Sequence, residues 1–180
     1  MIKLPYLPWM QRDAQKKAKK LGSINNSITR GGGNIAGYLA ELALSRYLNA
    51  ENISCDEGRD KFDYDLIKDG LKIDVKAKRR TVDPHPNYEV SIAETSKHQQ
   101  PDVYAFVSIT FKEKRGKGRF ATYHGVESIW LCGFMPRDEY FKKATFLRKG
   151  DIDPSNNFKV HADMYNLPIS SLYKEWGDLF

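Results

Sequence analysis

Residues 61–80 read KFDYDLIKDGLKIDVKAKRR, and the fold is decided by how this stretch is paired. Asp69-Gly70 is the pair most expected in a two-residue hairpin turn, because both central positions need positive φ. Behind it, Leu71, Ile73, Val75 and Ala77 alternate with Lys72, Asp74, Lys76 and Lys78. That period of two predicts a strand with one apolar and one polar face. Tyr64 to Lys68 supplies a short partner strand. With Asp69 and Gly70 as the loop, Lys68 faces Leu71, Asp65 faces Asp74, and Asp63 faces Lys76.

Opposed side chains on neighbouring antiparallel strands sit about 4.5–5.5 Å apart at Cβ, where like charges destabilise the pair. A hairpin shaped for stability alone would not set two carboxylates against each other. A divalent cation between them removes the objection, since Mg²⁺ is commonly held by one or two carboxylates together with phosphate oxygens. Lys76 shares the face of Asp74 and is placed to reach a phosphate or an attacking water. An isolated Asp-x-Lys is usually a solvated strand face. The opposed aspartates weigh against that reading, and so does a third carboxylate further upstream.

That third acid is Glu41. Asn34 is a good N-cap for a helix over roughly 35–49, in which Ile35, Leu39, Leu42, Ala43 and Leu48 form a core stripe. Glu41 sits among these apolar residues, with Gly37 one turn before and Ser45 one turn after. Small neighbours let a helix approach another element while still presenting an acid.

Asp65 followed nine positions later by Asp74-Val75-Lys76, with Leu66-Ile67 and Ile73 as hydrophobic flanks, resembles the signature of the PD-(D/E)XK nuclease superfamily. A glutamate in the helix before the signature hairpin recurs there too. No proline precedes the first aspartate, and either Asp63 or Asp65 can fill that position. The resemblance covers residues 34–80. It implies an α/β, restriction-endonuclease-like sandwich with a central mixed β-sheet flanked by helices. It also implies a Mg²⁺-dependent DNA nuclease, with Mn²⁺ as a substitute, leaving 5′-phosphate and 3′-hydroxyl ends. Asp65 and Asp74 would hold the metal with help from Glu41 and the Val75 carbonyl, and Lys76 would orient water or stabilise transition-state charge. Such an endonuclease serves recombination, restriction or DNA degradation, and a homodimer is compatible with it. An exonuclease of the same fold and a non-catalytic DNA-binding module are the alternatives.

The rest of the chain fits one domain over 1–180, with a basic helix at 9–21 and a catalytic core at about 34–135. In the helix, Met10, Ala14, Ala18 and Leu21 recur at helical spacing among Arg12, Lys16, Lys17, Lys19 and Lys20, after an extended arm over 1–8. Charge supports a polyanion partner: 29 Lys and Arg against 23 Asp and Glu give a net +6. Arg30, before the three glycines 31–33, and Lys78-Arg79-Arg80, at the end of the signature strand, are the candidate DNA contacts. The stretch 112–119, KEKRGKGR, reads as a basic hairpin loop between a buried strand over 102–110 and strands near 120–124 and 128–134. A helix is expected at 136–142, and strand-like patches at 53–55, 88–93, 145–148 and 158–161. Other chemistries fit less well. The four histidines lack metal-ligand spacing, Cys55 and Cys132 read as reduced core residues, and no G-x-S-x-G is present. No apolar run reaches the roughly 18 residues of a membrane span and no signal-peptide core is seen, so the expected location is cytoplasmic.

Overall fold

A computed structural model describes residues 1–21, 34–53, 63–116 and 122–179. The central hairpin forms as its sequence requires. Asp69 and Gly70 both take positive φ, 52° and 79°. They join β3 (Leu66–Lys68) to β4 (Leu71–Arg80), pairing Lys68 with Leu71, Ile67 with Lys72 and Leu66 with Ile73. This is the predicted register, although the ladder stops at Leu66, one residue short of Asp65.

Around the hairpin the chain builds a mixed α/β structure. In order come β1 (Ile2–Leu4), α1 (Pro8–Leu21), α2 (Asn34–Leu48), β2 (Glu51–Asn52), β3, β4 and β5 (Glu89–Ala93). Then follow β6 (Val103–Arg115), β7 (Thr122–Pro136), α3 (Arg137–Lys143), β8 (Thr145–Leu147), β9 (Ile152–Asp153), β10 (Phe158–Lys159) and β11 (Met164–Pro168). The main sheet runs β1-β7-β6-β4-β3-β2, with β4 parallel to β6 and its other pairings antiparallel. A second sheet runs β5-β11-β8, and β9 pairs with β10.

Alternation along β4 and β6 divides the interior into two layers. On one face Ile73, Val75, Ala105, Val107 and Ile109 pack under α1 and α2 with Met10, Leu39, Ala40, Ala43 and Leu44. On the other, Tyr104 and Phe106 join Cys132, Tyr140, Val90, Ile92 and Leu167 beneath the second sheet and α3. The polar side of β4 is therefore covered. Asp74 is only 4% exposed, whereas Ala77, expected in the core, is exposed.

The N-terminal arm is extended as read, and its β1 pairs with β7. Several expectations are corrected. The ladder expected at 53–55 lies at Glu51–Asn52, and Cys55 falls outside the described residues. Lys112 to Arg115 continue β6 instead of looping, since pairing with β7 satisfies their backbone whatever their side chains prefer. The two strands expected near 120–134 are one, with register shifts at Phe106/Val107 and Thr110/Phe111 absorbing the irregularity. Ile35, placed in the α2 stripe, is 36% exposed, and Ala36, Ala40 and Leu44 are buried instead. No described helix is long and apolar enough to cross a membrane.

Candidate active site

The hairpin leaves Asp65 where β3 has ended and β4 continues. Its N–H donates to the Ile73 carbonyl at 2.8 Å, and its carbonyl accepts from Ile53 N–H at 3.1 Å. These bonds turn the side chain toward β4, where Oδ2 accepts from the Val75 N–H at 2.7 Å. Of the two aspartates left open by sequence, Asp65 is the one whose carboxylate reaches β4.

Asp65 as a residue is partly exposed, but its carboxyl is enclosed. Its pKa lies well above the ordinary 3.8, first through desolvation, then through the charges of Glu41 and Asp74. The Val75 N–H and the Lys76 ammonium pull the other way and are outweighed. Glu41 is 7% exposed and comes from α2. A Cβ built on Gly37 would lie 3.9 Å from Glu41 Oε1, an ordinary contact, so the small residue is tolerated there without being required. The charges of Glu41 from α2 and Asp74 from β4 thus both act on Asp65 at the β3 edge.

The Lys76 ammonium opposes Asp65 and Asp74. Lys76 Nζ lies 2.6 Å from Asp74 Oδ2, an ion pair outside hydrogen-bond alignment, so that oxygen is neutralised by charge alone. The same Nζ donates to Gln99 Oε1 at 2.9 Å and stands 5.8 Å from the centre of the Tyr104 ring. Arg137 fixes the loop carrying Gln99 by donating to the Gln99 and Lys97 carbonyls at 2.9 and 3.0 Å. Tyr104, beside Asp74 in the β4–β6 register, has its hydroxyl pKa pushed up to about 12 by burial and then by Asp74.

Gln99, Tyr104 and Arg137 were missed by sequence reasoning. The signal available was the β6 pattern: a buried strand parallel to β4 brings the residues around its start beside Asp74 and Lys76.

The three cations after the signature are separated. Lys78 Nζ donates to the Glu89 carbonyl at 3.1 Å and to Ser91 Oγ at 3.4 Å. Arg80 donates to Ser108 Oγ at 3.0 Å and to the same Glu89 carbonyl at 3.1 Å. Both point beneath the second sheet, while Arg79 lies on the helix side, its guanidinium carbon 4.6 Å from the centre of the Tyr123 ring. They do not form one patch. Arg30 lies outside the described residues.

No family model matches this chain, and no curated protein matches it.

The donor set, carboxylate and carbonyl oxygen, is the chemistry that Mg²⁺ and Mn²⁺ take. Among the described residues no group of three or more His, Cys, Asp or Glu side chains is placed to hold a metal ion. Asp65, its carboxyl desolvated, feels the negative charge of both Glu41 and Asp74 and the opposing charge of Lys76.

Proposed function

We propose that this chain is a Mg²⁺-dependent deoxyribonuclease, an endonuclease built on a restriction-endonuclease-like sandwich. The observation that carries the reading is the convergence of Glu41, Asp65 and Asp74 from three elements, with Lys76 paired to Asp74. The order of a helix bearing an acid, a hairpin bearing two more, and a parallel strand beside the hairpin supports the fold assignment.

Asp65, Asp74, Glu41 and the Val75 carbonyl would hold the metal. Bound there, it would neutralise charge on the scissile phosphate and lower the pKa of a coordinated water. Lys76, positioned by Gln99, orients the attacking water or stabilises charge developing on the phosphate. Closing DNA over the site would exclude bulk solvent and strengthen both interactions.

A non-catalytic DNA-binding module is the second reading, favoured by the closed Lys76–Asp74 pair and by the lack, among the described residues, of three acids, histidines or cysteines placed to hold a metal. A cleavage assay separates the two. Linear, nicked, branched and single-stranded DNA are incubated with Mg²⁺ or Mn²⁺, using wild type, Asp74→Asn and Glu41→Gln. The nuclease reading expects metal-dependent cleavage by wild type, its loss in Asp74→Asn, and a raised metal requirement in Glu41→Gln. Binding without cleavage under either metal would leave the module.

A further inference from the structure

A cleft of about 330 Å³ opens between α1, the start of α2 and the far ends of β4, β6 and β7. Ile35 and Phe111 give it apolar walls, and Gln11, Gln15 and Arg79 line it with amides and a guanidinium. Tyr123 also lines it, with Arg79 over its ring and the Phe111 ring centre 5.4 Å away. Lys114 Nζ stands 5.8 Å from the Tyr123 ring centre, and the Lys112 stem runs past Gly125. Pockets for small planar ligands have this composition: mostly apolar walls with a few placed polar groups.

We infer that this cleft receives one unstacked base from a single-stranded segment of DNA. The inference rests on the nuclease reading for the identity of the strand, and it narrows the substrate to tailed, gapped or frayed DNA. Four observations carry it. The volume is in the range of small-ligand pockets and far too small for a duplex. Arginine on tyrosine is the cationic aromatic surface on which bases stack without regard to sequence. The Gln15 amide offers a donor and an acceptor, and the Gln11 amide a donor while its oxygen accepts from the Tyr6 hydroxyl at 2.6 Å, to a base edge that is accessible only once the base has left its partner. Lys112 and Lys114 supply the positive charge that the flanking phosphates require.

The test is fluorescence anisotropy on the full chain, in Ca²⁺ and again in EDTA, with three DNAs. One is a blunt duplex, one the same duplex with a short single-stranded tail, and one carries that tail with abasic sites. The tailed duplex is expected to bind more tightly than the other two. Tyr123→Ala should remove the advantage, a loss of about five- to 150-fold for one stacked base. Gln15→Ala, a change at an exposed α1 position, should remove part of it and covers the case in which Tyr123→Ala fails to fold. Equal affinity for the normal and abasic tails overturns the inference, as does undiminished discrimination by Gln15→Ala. The nuclease reading fails separately. A protein that prefers the normal tail but never cuts keeps the cleft and loses the chemistry, and one that cuts without preference does the reverse.

Discussion

Asp65 is held in an electrostatic conflict. Its carboxyl is desolvated and faces two other acids, so its pKa is raised in the fold. An acid with a raised pKa contributes stability below its unfolded value of about 3.8, and loses it as pH rises through the folded pKa. In EDTA, this residue should therefore make the protein less stable from about pH 4 upward. Asp65→Asn keeps an acceptor for the Val75 N–H and removes the charge, so it should flatten that slope. Mg²⁺ favours the ionised carboxylates, and its thermal stabilisation of wild type should be larger at pH 8 than at pH 5 and much reduced in the variant. A melting series in pH and Mg²⁺ checks both statements, and a variant that responds to Mg²⁺ like wild type would falsify the assignment of Asp65 to the metal. Lys76 tests the chemistry instead of the metal. Its charge is wrong for a ligand, and its partners are Asp74 and Gln99. Lys76→Ala should bind DNA within a few-fold of wild type while its single-turnover rate drops about 10²–10³-fold, the cost of losing one transition-state donor. Proportional loss of binding and rate would reduce the lysine to a phosphate contact.

The hairpin of β3 and β4 was legible in the sequence because everything that specifies it is local. A turn pair, an alternation and a loop length fix the register, and with it the approach of Asp65 to Asp74. The helix bearing Glu41 was legible for the same reason. Gln99 and Arg137 were not, since they approach Lys76 only through the parallel pairing of β4 with β6, a non-local choice with no signature in either strand. Lys78 and Arg80 looked like surface cations because the strands that cover them, β5 and β11, are only five residues each. In the C-terminal segment the strand patches at 145–148 and 158–161 were legible, but its docking on β7 was not, and one glycine shows why. Gly133 has φ 145°, and a Cβ there would lie 2.4 Å from the Tyr173 carbonyl oxygen and 2.7 Å from Leu172 Cβ. The close approach lets Phe134 and Tyr173 exchange backbone hydrogen bonds at 2.8 and 3.0 Å, tying the C-terminal segment to β7. Gly133→Ala should cost more than the roughly 1–3 kcal/mol of backbone strain alone, because it also breaks that contact. Gly70→Ala, in open space at φ 79°, should cost only about 1–2 kcal/mol. Urea denaturation of both variants checks the order, and an equal or smaller loss at Gly133 would contradict the docking argument.

At the scale of the whole molecule, the second sheet is fastened to the first by a buried polar network. Lys78 and Arg80 from β4 hold the Glu89 carbonyl, and the Glu89 side chain meets Asp153. Asn166 on β11 donates to both carboxyl groups, at 3.0 Å to Glu89 and 2.8 Å to Asp153, while Ser155 donates twice to Asp153. Burial raises the Glu89 pKa to about 7, helped by the hydrogen bond and charge of Asp153. Burial would raise Asp153 too, but hydrogen bonds from Glu89, Ser155 and Asn166 bring it down to about 2. The proton stays on Glu89 and is shared with Asp153 through the hydrogen bond between them. Burial, and then Arg80, lower Lys78 to about 8. The signs follow from which state holds more protons. Asp153 adds stability as pH rises from about 2 to 3.8. Glu89 loses it from 4.5 to about 7, where the folded state alone keeps the proton. Lys78 returns some between about 8 and 10.5, where the folded state alone has shed its proton. The network therefore predicts a minimum in stability between about pH 7 and 8, with Asp65 deepening the descent from the acid side. Glu89→Gln keeps a hydrogen-bonding amide against Asp153 and cannot ionise. Its melting temperature in EDTA should decline less than that of wild type between pH 5 and 7, and the double variant with Asp65→Asn should be flatter still. Parallel curves for wild type and Glu89→Gln would mean that the shared proton is not what holds the two sheets together at neutral pH.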